Sequence, residues 1–381
     1  MASLSPARQL KFQLLDNGLA LDPSALDALR QLYGDRELTP HDYASTSGII
    51  LKLEEDVWVN APIERYNPNF VAESPFSLSF SDERFVVAGR GLTSTAAFWP
   101  QPAYHGTSND YGPLNNYVVT HGDRGRLSPI RSCSMTCTFC NIPYDDPLSD
   151  YDLKPVPALL AAARTALEDP DQPARHLLIS GGTPKPRDIG WMREMYAAVI
   201  TEFTGVPVDL MMVPLPGLFD LPELSALGLN ELSINLELFG RETSKSIMRH
   251  KYNQGVDFYL DFIERASEVL GLGRSRSMLM VGLEPMADTL AGVRAIAERG
   301  GTPVLSPFRP DPATPLSRVS PPDASTMRET YLRAMDILDD FEVTLGPDCP
   351  PCSHNTLNFA DDVSGRLGYR HPLPRLLGSA A

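Results

Sequence analysis

Residues 131–141 read RSCSMTCTFCN and place Cys133, Cys137 and Cys140 in one loop at C-x3-C-x2-C spacing. Three thiolates from one loop suit a 4Fe-4S cluster with one iron left open, and an open position is what a metal site needs to bind a substrate. The chain's other two cysteines, Cys349 and Cys352, form a second tight pair. A chain that keeps all five thiols in two tight groups binds metal or does redox chemistry in a reducing compartment.

Outward from that loop, residues 126–340 alternate short apolar runs with helix-length amphipathic segments. The runs at 127–130, 176–182, 206–214, 231–238, 277–282 and 303–308 read as strands, and the segments at 155–168, 188–204, 220–228, 257–271, 288–299 and 322–340 as helices. Six β-then-α units with strands apolar on both faces imply a parallel sheet curled toward a barrel. The expected fold is α/β: a partial (β/α)6 TIM-type barrel over 121–341, with its site at the C-terminal ends of the strands.

Residues 1–120 read differently, as a small β-rich accessory domain with short helices. Ile49, Leu51, Leu53, Val57 and Val59 share one parity, Phe76, Leu78 and Phe80 alternate likewise, and Ser81-Asp82-Glu83-Arg84 offers a turn. The Pro/Gly/Asn-rich stretch 100–116 reads as a linker. Residues 342–381 form a C-terminal extension: 342–347 could add a strand, the CPPC motif follows, and the final 25 or so residues read as a closing tail.

The cysteine loop resembles the signature of the radical S-adenosylmethionine (SAM) superfamily, C-x3-C-x2-C with an aromatic residue, here Phe139, before the last cysteine. The resemblance implies a 4Fe-4S cluster on Cys133, Cys137 and Cys140 whose open iron chelates SAM. It also implies reductive cleavage of SAM to a 5′-deoxyadenosyl radical that abstracts hydrogen from substrate.

Downstream segments extend the likeness to about residue 316, nearest to biotin synthase and lipoyl synthase. Gly181-Gly182-Thr183-Pro184 resembles the family's Gly-Gly-Glu-Pro loop, with Thr183 in the acidic position, and implies backbone carbonyls receiving the SAM amino group. Ser233, Asn235 and Glu237 alternate with Ile234 and Leu236, which puts three polar side chains on one face of a strand inside a barrel. By resemblance that face holds the ribose and methionine parts of SAM. Met280 and Gly282 resemble an adenine-packing element, from which Glu284 departs by one residue. Arg241, Lys245 and Arg249 recur at i, i+4, i+8 as a basic stripe on a helix, and by resemblance Arg249 meets the SAM carboxylate.

Three readings stay open for Cys349 and Cys352: ligands to an auxiliary Fe-S cluster, a hydrogen-atom donor facing the same cavity, or a structural zinc knuckle. With 33 Lys and Arg against 48 Asp and Glu, the net charge of −15 repels nucleic acid. No apolar run reaches membrane-span length and the opening MASLSPARQLKFQLL lacks a signal-peptide pattern, so a cytoplasmic protein with no membrane partner is expected. The sequence therefore predicts a radical SAM enzyme acting on a small-molecule substrate and fed by a low-potential donor such as flavodoxin or ferredoxin. The alternatives are a dehydrogenase or sulfur-inserting enzyme with an auxiliary cluster at Cys349 and Cys352, and a non-catalytic zinc or Fe-S redox sensor.

Overall fold

Ser5 and Asp22 each accept a backbone N–H, from Arg8 and Ser24, and each precedes a proline. They start helices α1 (Pro6–Asn17) and α2 (Pro23–Leu32). The architecture is that of a computed structural model that describes residues 4–34, 48–63, 73–144, 150–363, 372–374 and 376–378. Part of the expected closing tail, at 364–371, 375 and 379–381, lies outside the described residues.

The N-terminal sheet contains β1 (Ala20–Leu21), β2 (Gly48–Leu53), β3 (Trp58–Pro62), β4 (Ser77–Ser81), β5 (Arg84–Gly89) and β6 (Leu92–Phe98), in the order β1-β4-β5-β6-β2-β3. Asp82 and Glu83 both take positive φ between β4 and β5, as a two-residue hairpin turn requires. Ile49, Leu51 and Leu53 are buried as the alternation implies, but Ile50 is buried too. It packs with Trp58, Ala97, Trp99 and Leu376, so the sheet is covered on both faces there. Within the expected linker, β7 (Ser108–Asn109) and β8 (Gly112–Pro113) form a small hairpin.

The second sheet begins with the antiparallel pair β9 (Val118–His121) and β10 (Arg124–Leu127), so Val118 already belongs to the barrel. The short pair β11 (Ile130–Arg131) and β12 (Asp152–Leu153) flanks the cysteine loop. There follow α3 (Val156–Leu167), β13 (His176–Ser180), α4 (Ile189–Glu202), β14 (Val208–Met211), α5 (Leu221–Leu227) and β15 (Glu231–Ser233). Then come α6 (Arg241–Ile247), α7 (Arg249–Gln254), α8 (Val256–Leu270), β16 (Ser275–Val281), α9 (Met286–Glu298), β17 (Thr302–Pro307) and α10 (Ala324–Leu338). The sheet order β17-β16-β15-β14-β13-β10-β9 makes six consecutive parallel strands, the partial (β/α)6 barrel.

Three local expectations shift. The first barrel strand is 124–127 rather than 127–130, because it carries Arg124 and Arg126 and so shows no apolar run, and Pro129 cannot continue the ladder. The segment 342–347 makes a single parallel bridge, Gly346 to Val304, instead of a strand. The basic stripe is broken: Met248, with φ −140° and ψ 59°, separates α6 from α7.

A Cβ at Gly125 would meet Leu177, Ala174 and Ala166, so Gly125 and Leu177 face α3. The alternate positions therefore face the barrel interior. At the N-terminal ends of the strands this interior face carries Arg124, His176, Asp209, Glu231 and Arg276. Arg276 bonds Glu231 and lies 3.5 Å from Asp209. Residues 347–355 close that end from below.

The N-terminal unit docks on the barrel through α1. Phe12 packs on Tyr331 and Phe359, while buried Lys11 donates to the carbonyls of Ser353 and Asn358 at 2.9 and 2.5 Å. Arg309, just beyond β17, donates to the Asn60 carbonyl of β3 at 2.5 Å. Among the described residues no helix is long and apolar enough to cross a membrane.

Candidate active site

The cysteine loop is fixed by backbone hydrogen bonds to two neighbours. Ser134 N–H donates to the Thr183 carbonyl (3.1 Å) and Thr138 N–H to the Ile247 carbonyl (3.0 Å). Thr183 N–H and Met135 N–H both point at Cys133 Sγ, at 3.1 and 3.3 Å. Ser132 takes φ +64° to turn the chain into the loop. Gly182 is where this loop presses closest: a Cβ there would lie 1.7 Å from the Ser132 carbonyl oxygen, so only glycine fits.

Cys133, Cys137 and Cys140 line one cavity of about 550 Å³, together with Phe139, Gly181, Thr183, Asn235, Glu237 and Met280. The cavity opens at the C-terminal ends of β13 to β16, where a barrel of this type carries its site. Burial pushes the Cys137 thiol up to about 11 and the Cys140 thiol up to about 12, so without metal both are neutral and free of disulfide. Iron ligation would take them as thiolates, and three free sulfurs on one wall fit three irons of a cluster.

Opposite the loop, Glu237 is buried at the end of the fourth parallel strand with φ +69°, a strained backbone for a non-glycine residue. Lys251 Nζ holds Glu237 Oε1 at 3.2 Å and the Asn235 carbonyl at 2.8 Å. Glu237 Oε2 has no hydrogen-bond partner among the described residues. A buried carboxylate oxygen without a hydrogen bond is costly, and Glu237 is one of the residues that line the cavity. The chain thus fits both the cluster and a polar, amine-bearing cosubstrate.

Other expected site residues lie elsewhere. Ser233 does not line the cavity; its Oγ donates to Asn235 Oδ1 at 2.8 Å and fixes that side chain. Gly182 backs the cysteine loop instead of facing the cavity, and the Thr183 carbonyl accepts from Ser134 N–H with one of its two lone pairs. Gly282 has φ +102°, and a Cβ there would strike Pro322, so it serves a turn. Glu284 accepts from Gly240 N–H (2.7 Å) and Phe239 N–H (3.2 Å) and braces the loop after the fourth strand.

Arg249 is exposed and is not among the residues lining the cavity, while Lys251 is buried in its wall. Two residues along a helix turn the side chain by about 200°, so the two cations of α7 face opposite ways. Cys349 and Cys352 are also absent from the wall. They are joined by a disulfide at the other end of the strands, beside Asp123 and His176, so a hydrogen donor facing this cavity is not what the structure places there.

Sequence reading missed Lys251, Arg126, Arg309 and Asp311, which also line the cavity, as does His121, which the sequence offered as a fourth ligand in the zinc alternative. The signal for Arg126 was its alternation with Gly125 and Leu127, once the strand is set at 124–127. Burial lowers its guanidinium from the ordinary value, and its Nε–H has no hydrogen-bond partner among the described residues.

A family model described as the radical SAM superfamily matches residues 127–291. Over 138 residues the chain is 28% identical to a protein named bacteriochlorophyllide c C-7(1)-hydroxylase from Chlorobaculum limnaeum, a match covering 35% of this chain and 34% of that protein. The chain therefore spans about a third of the length of that curated relative. Solved structures similar to it include the FeFe-hydrogenase maturase HydG from Carboxydothermus hydrogenoformans, 16% identical over 62% of this chain and 57% of that one, TM-score 0.45. A radical SAM methyltransferase from Sphaerobacter thermophilus is 13% identical over 75% of this chain and 81% of that one, TM-score 0.43. Residues 127–291 of this chain are a radical SAM domain.

Proposed function

We propose that this chain is a radical SAM enzyme that cleaves SAM reductively at a 4Fe-4S cluster on Cys133, Cys137 and Cys140 and removes hydrogen from a small molecule bound in the same cavity. The observation that carries the reading is the meeting of three free cysteines with the polar side chains of Asn235, Glu237 and Lys251 in one cavity at the C-terminal ends of the strands. When bound, the cluster and SAM supply a 5′-deoxyadenosyl radical. The chain's own groups orient and shield: Glu237, held by Lys251, receives a donor group of SAM, Phe139 and Met280 give apolar wall, and the surrounding strands exclude water.

The rest of the cavity, lined by His121, Arg126, Met211 and Met278, is left for substrate. The guanidinium of Arg126 in that wall favours a molecule with an acceptor oxygen. His121 is neutral there, because burial drives its imidazole well below the ordinary range. A low-potential donor such as a flavodoxin or ferredoxin supplies the electron. The dehydrogenating or sulfur-inserting alternative needs a second cluster at Cys349 and Cys352, and the position of that pair away from the cavity does not favour it.

The test is anaerobic: reconstituted enzyme with SAM and dithionite should release 5′-deoxyadenosine, and Cys137→Ala should reduce it to background. An intact, reducible cluster that yields no adenosyl product, even with metabolite extracts added, would overturn the reading.

A further inference from the structure

Cys349 and Cys352 are only 2% and 1% exposed, and they meet two other buried side chains, Asp123 and His176. One ligand atom from each of the four lies within 4.8 Å of all the others. Asp123 Oδ1 is 3.1 Å from Cys349 Sγ, 3.8 Å from Cys352 Sγ and 3.5 Å from His176 Nε2, and Cys352 Sγ is 3.4 Å from His176 Nε2. A tetrahedral zinc ion, with bonds of about 2.0–2.3 Å, needs ligand atoms about 3.3–3.8 Å apart. Four of the six separations are already close to that range.

We propose that, once reduced, Cys349, Cys352, His176 and Asp123 bind a single Zn²⁺ that locks the N-terminal end of the barrel. The surroundings are built for it. Arg175 holds the other carboxylate oxygen of Asp123 (Nε to Oδ2 2.8 Å), which leaves Oδ1 aimed at the sulfurs. His176 Nδ1 faces Asp209 Oδ2 at 3.7 Å, the arrangement in which a carboxylate orients a metal-bound imidazole. Two thiolates and one carboxylate against Zn²⁺ leave one negative charge, which Arg175 balances. The mixed S, N and O donors and their close spacing suit one borderline ion rather than a multi-iron cluster.

The chemistry balances in two steps. A dithiol reductant gives two electrons and two protons to the Cys349–Cys352 disulfide and is itself oxidised to a disulfide. Zn²⁺ then displaces the two thiol protons, together with any proton on His176 Nε2, and the sulfurs separate to span the ion. The site is not the cosubstrate site: Asp123 and His176 stand at the beginnings of β10 and β13, whereas the cysteine loop and Gly181 follow their ends, about 13–17 Å away along a strand of this length.

The test uses the full chain, reduced anaerobically, with iron reconstituted on the cluster loop, then given zinc chloride and desalted. Elemental analysis should find one zinc per chain, and zinc-edge X-ray absorption on the unmutated protein should show two sulfurs, one nitrogen and one oxygen. Cys352→Ala should lose that zinc while keeping its iron. Absence of stoichiometric zinc from the reduced wild-type chain, or a shell with three or more sulfurs, overturns the proposal without touching the SAM reading.

Discussion

The two ends of the barrel use the same kinds of residue to opposite effect. At the C-terminal ends of the strands, cysteines are free and line a cavity, and the backbone of Glu237 is strained. At the N-terminal ends, Asp209, Glu231 and Arg276 are buried in mutual contact. Burial works to raise the Asp209 carboxyl, yet His176, Arg276 and Asn230 together hold it below its ordinary value. The difference teaches that neither buried polarity nor a buried atom lacking a hydrogen bond marks a reaction site, since Asp209 Oδ2 and Arg276 Nη2 lack one too among the described residues; a cavity lined by free thiols does.

The largest effect that tests this contrast is at the closed end. Arg276→Ala leaves Glu231 and Asp209 without their shared cation, and urea unfolding should show a loss of about 3–5 kcal/mol. Arg249→Ala, at an exposed position, should stay within about 0.5 kcal/mol and leave SAM binding unchanged. Equal losses in the two variants would erase the distinction between the ends.

At the open end the cost should appear in binding more than in folding. Glu237→Gln keeps the shape and removes the charge, so equilibrium dialysis should find SAM bound about 10- to 100-fold more weakly, the loss of one charged hydrogen bond. Its iron content should match wild type, while its melting temperature falls modestly because buried Lys251 loses its paired charge. A melting temperature that falls while SAM affinity holds would assign Glu237 to the scaffold.

The smallest effect is a pH slope at the plug. Burial lowers Lys11 from 10.5 to about 7, with Asp362 opposing and Arg8 assisting the shift. Between those values the unfolded chain holds a proton that the folded chain has released, so folding grows more favourable as pH rises through that window. Relative to Lys11→Met, wild type should therefore gain up to about 1.4 kcal/mol per pH unit above pH 7. Parallel stability curves for the two proteins would show that Lys11 stays charged when buried.

Five of the six parallel strands and their helices were legible because apolar runs and amphipathic periods are local signals. The first strand was misplaced by three residues because Arg124 and Arg126 point into a charged interior, which no apolar pattern announces. The cysteine loop was legible from spacing alone. Lys251 was not, since its burial follows from the break at Met248, which reorients α7. Nor could spacing show that the CPPC turn meets Asp123 and His176, because that depends on how 346–355 folds back beneath the sheet.

That fold-back also governs the order of assembly. Lys11 bonds Ser353 across 342 positions of chain, and Cys349 meets Asp123 across 226. While the polypeptide is being synthesised, the charged floor formed by His176, Asp209 and Arg276 stays open to water until residues 346–359 have left the ribosome. Contacts of such long range close slowly, so the barrel, whose last parallel strand ends at Pro307, stays unsealed until the segment 346–359 that follows it has docked.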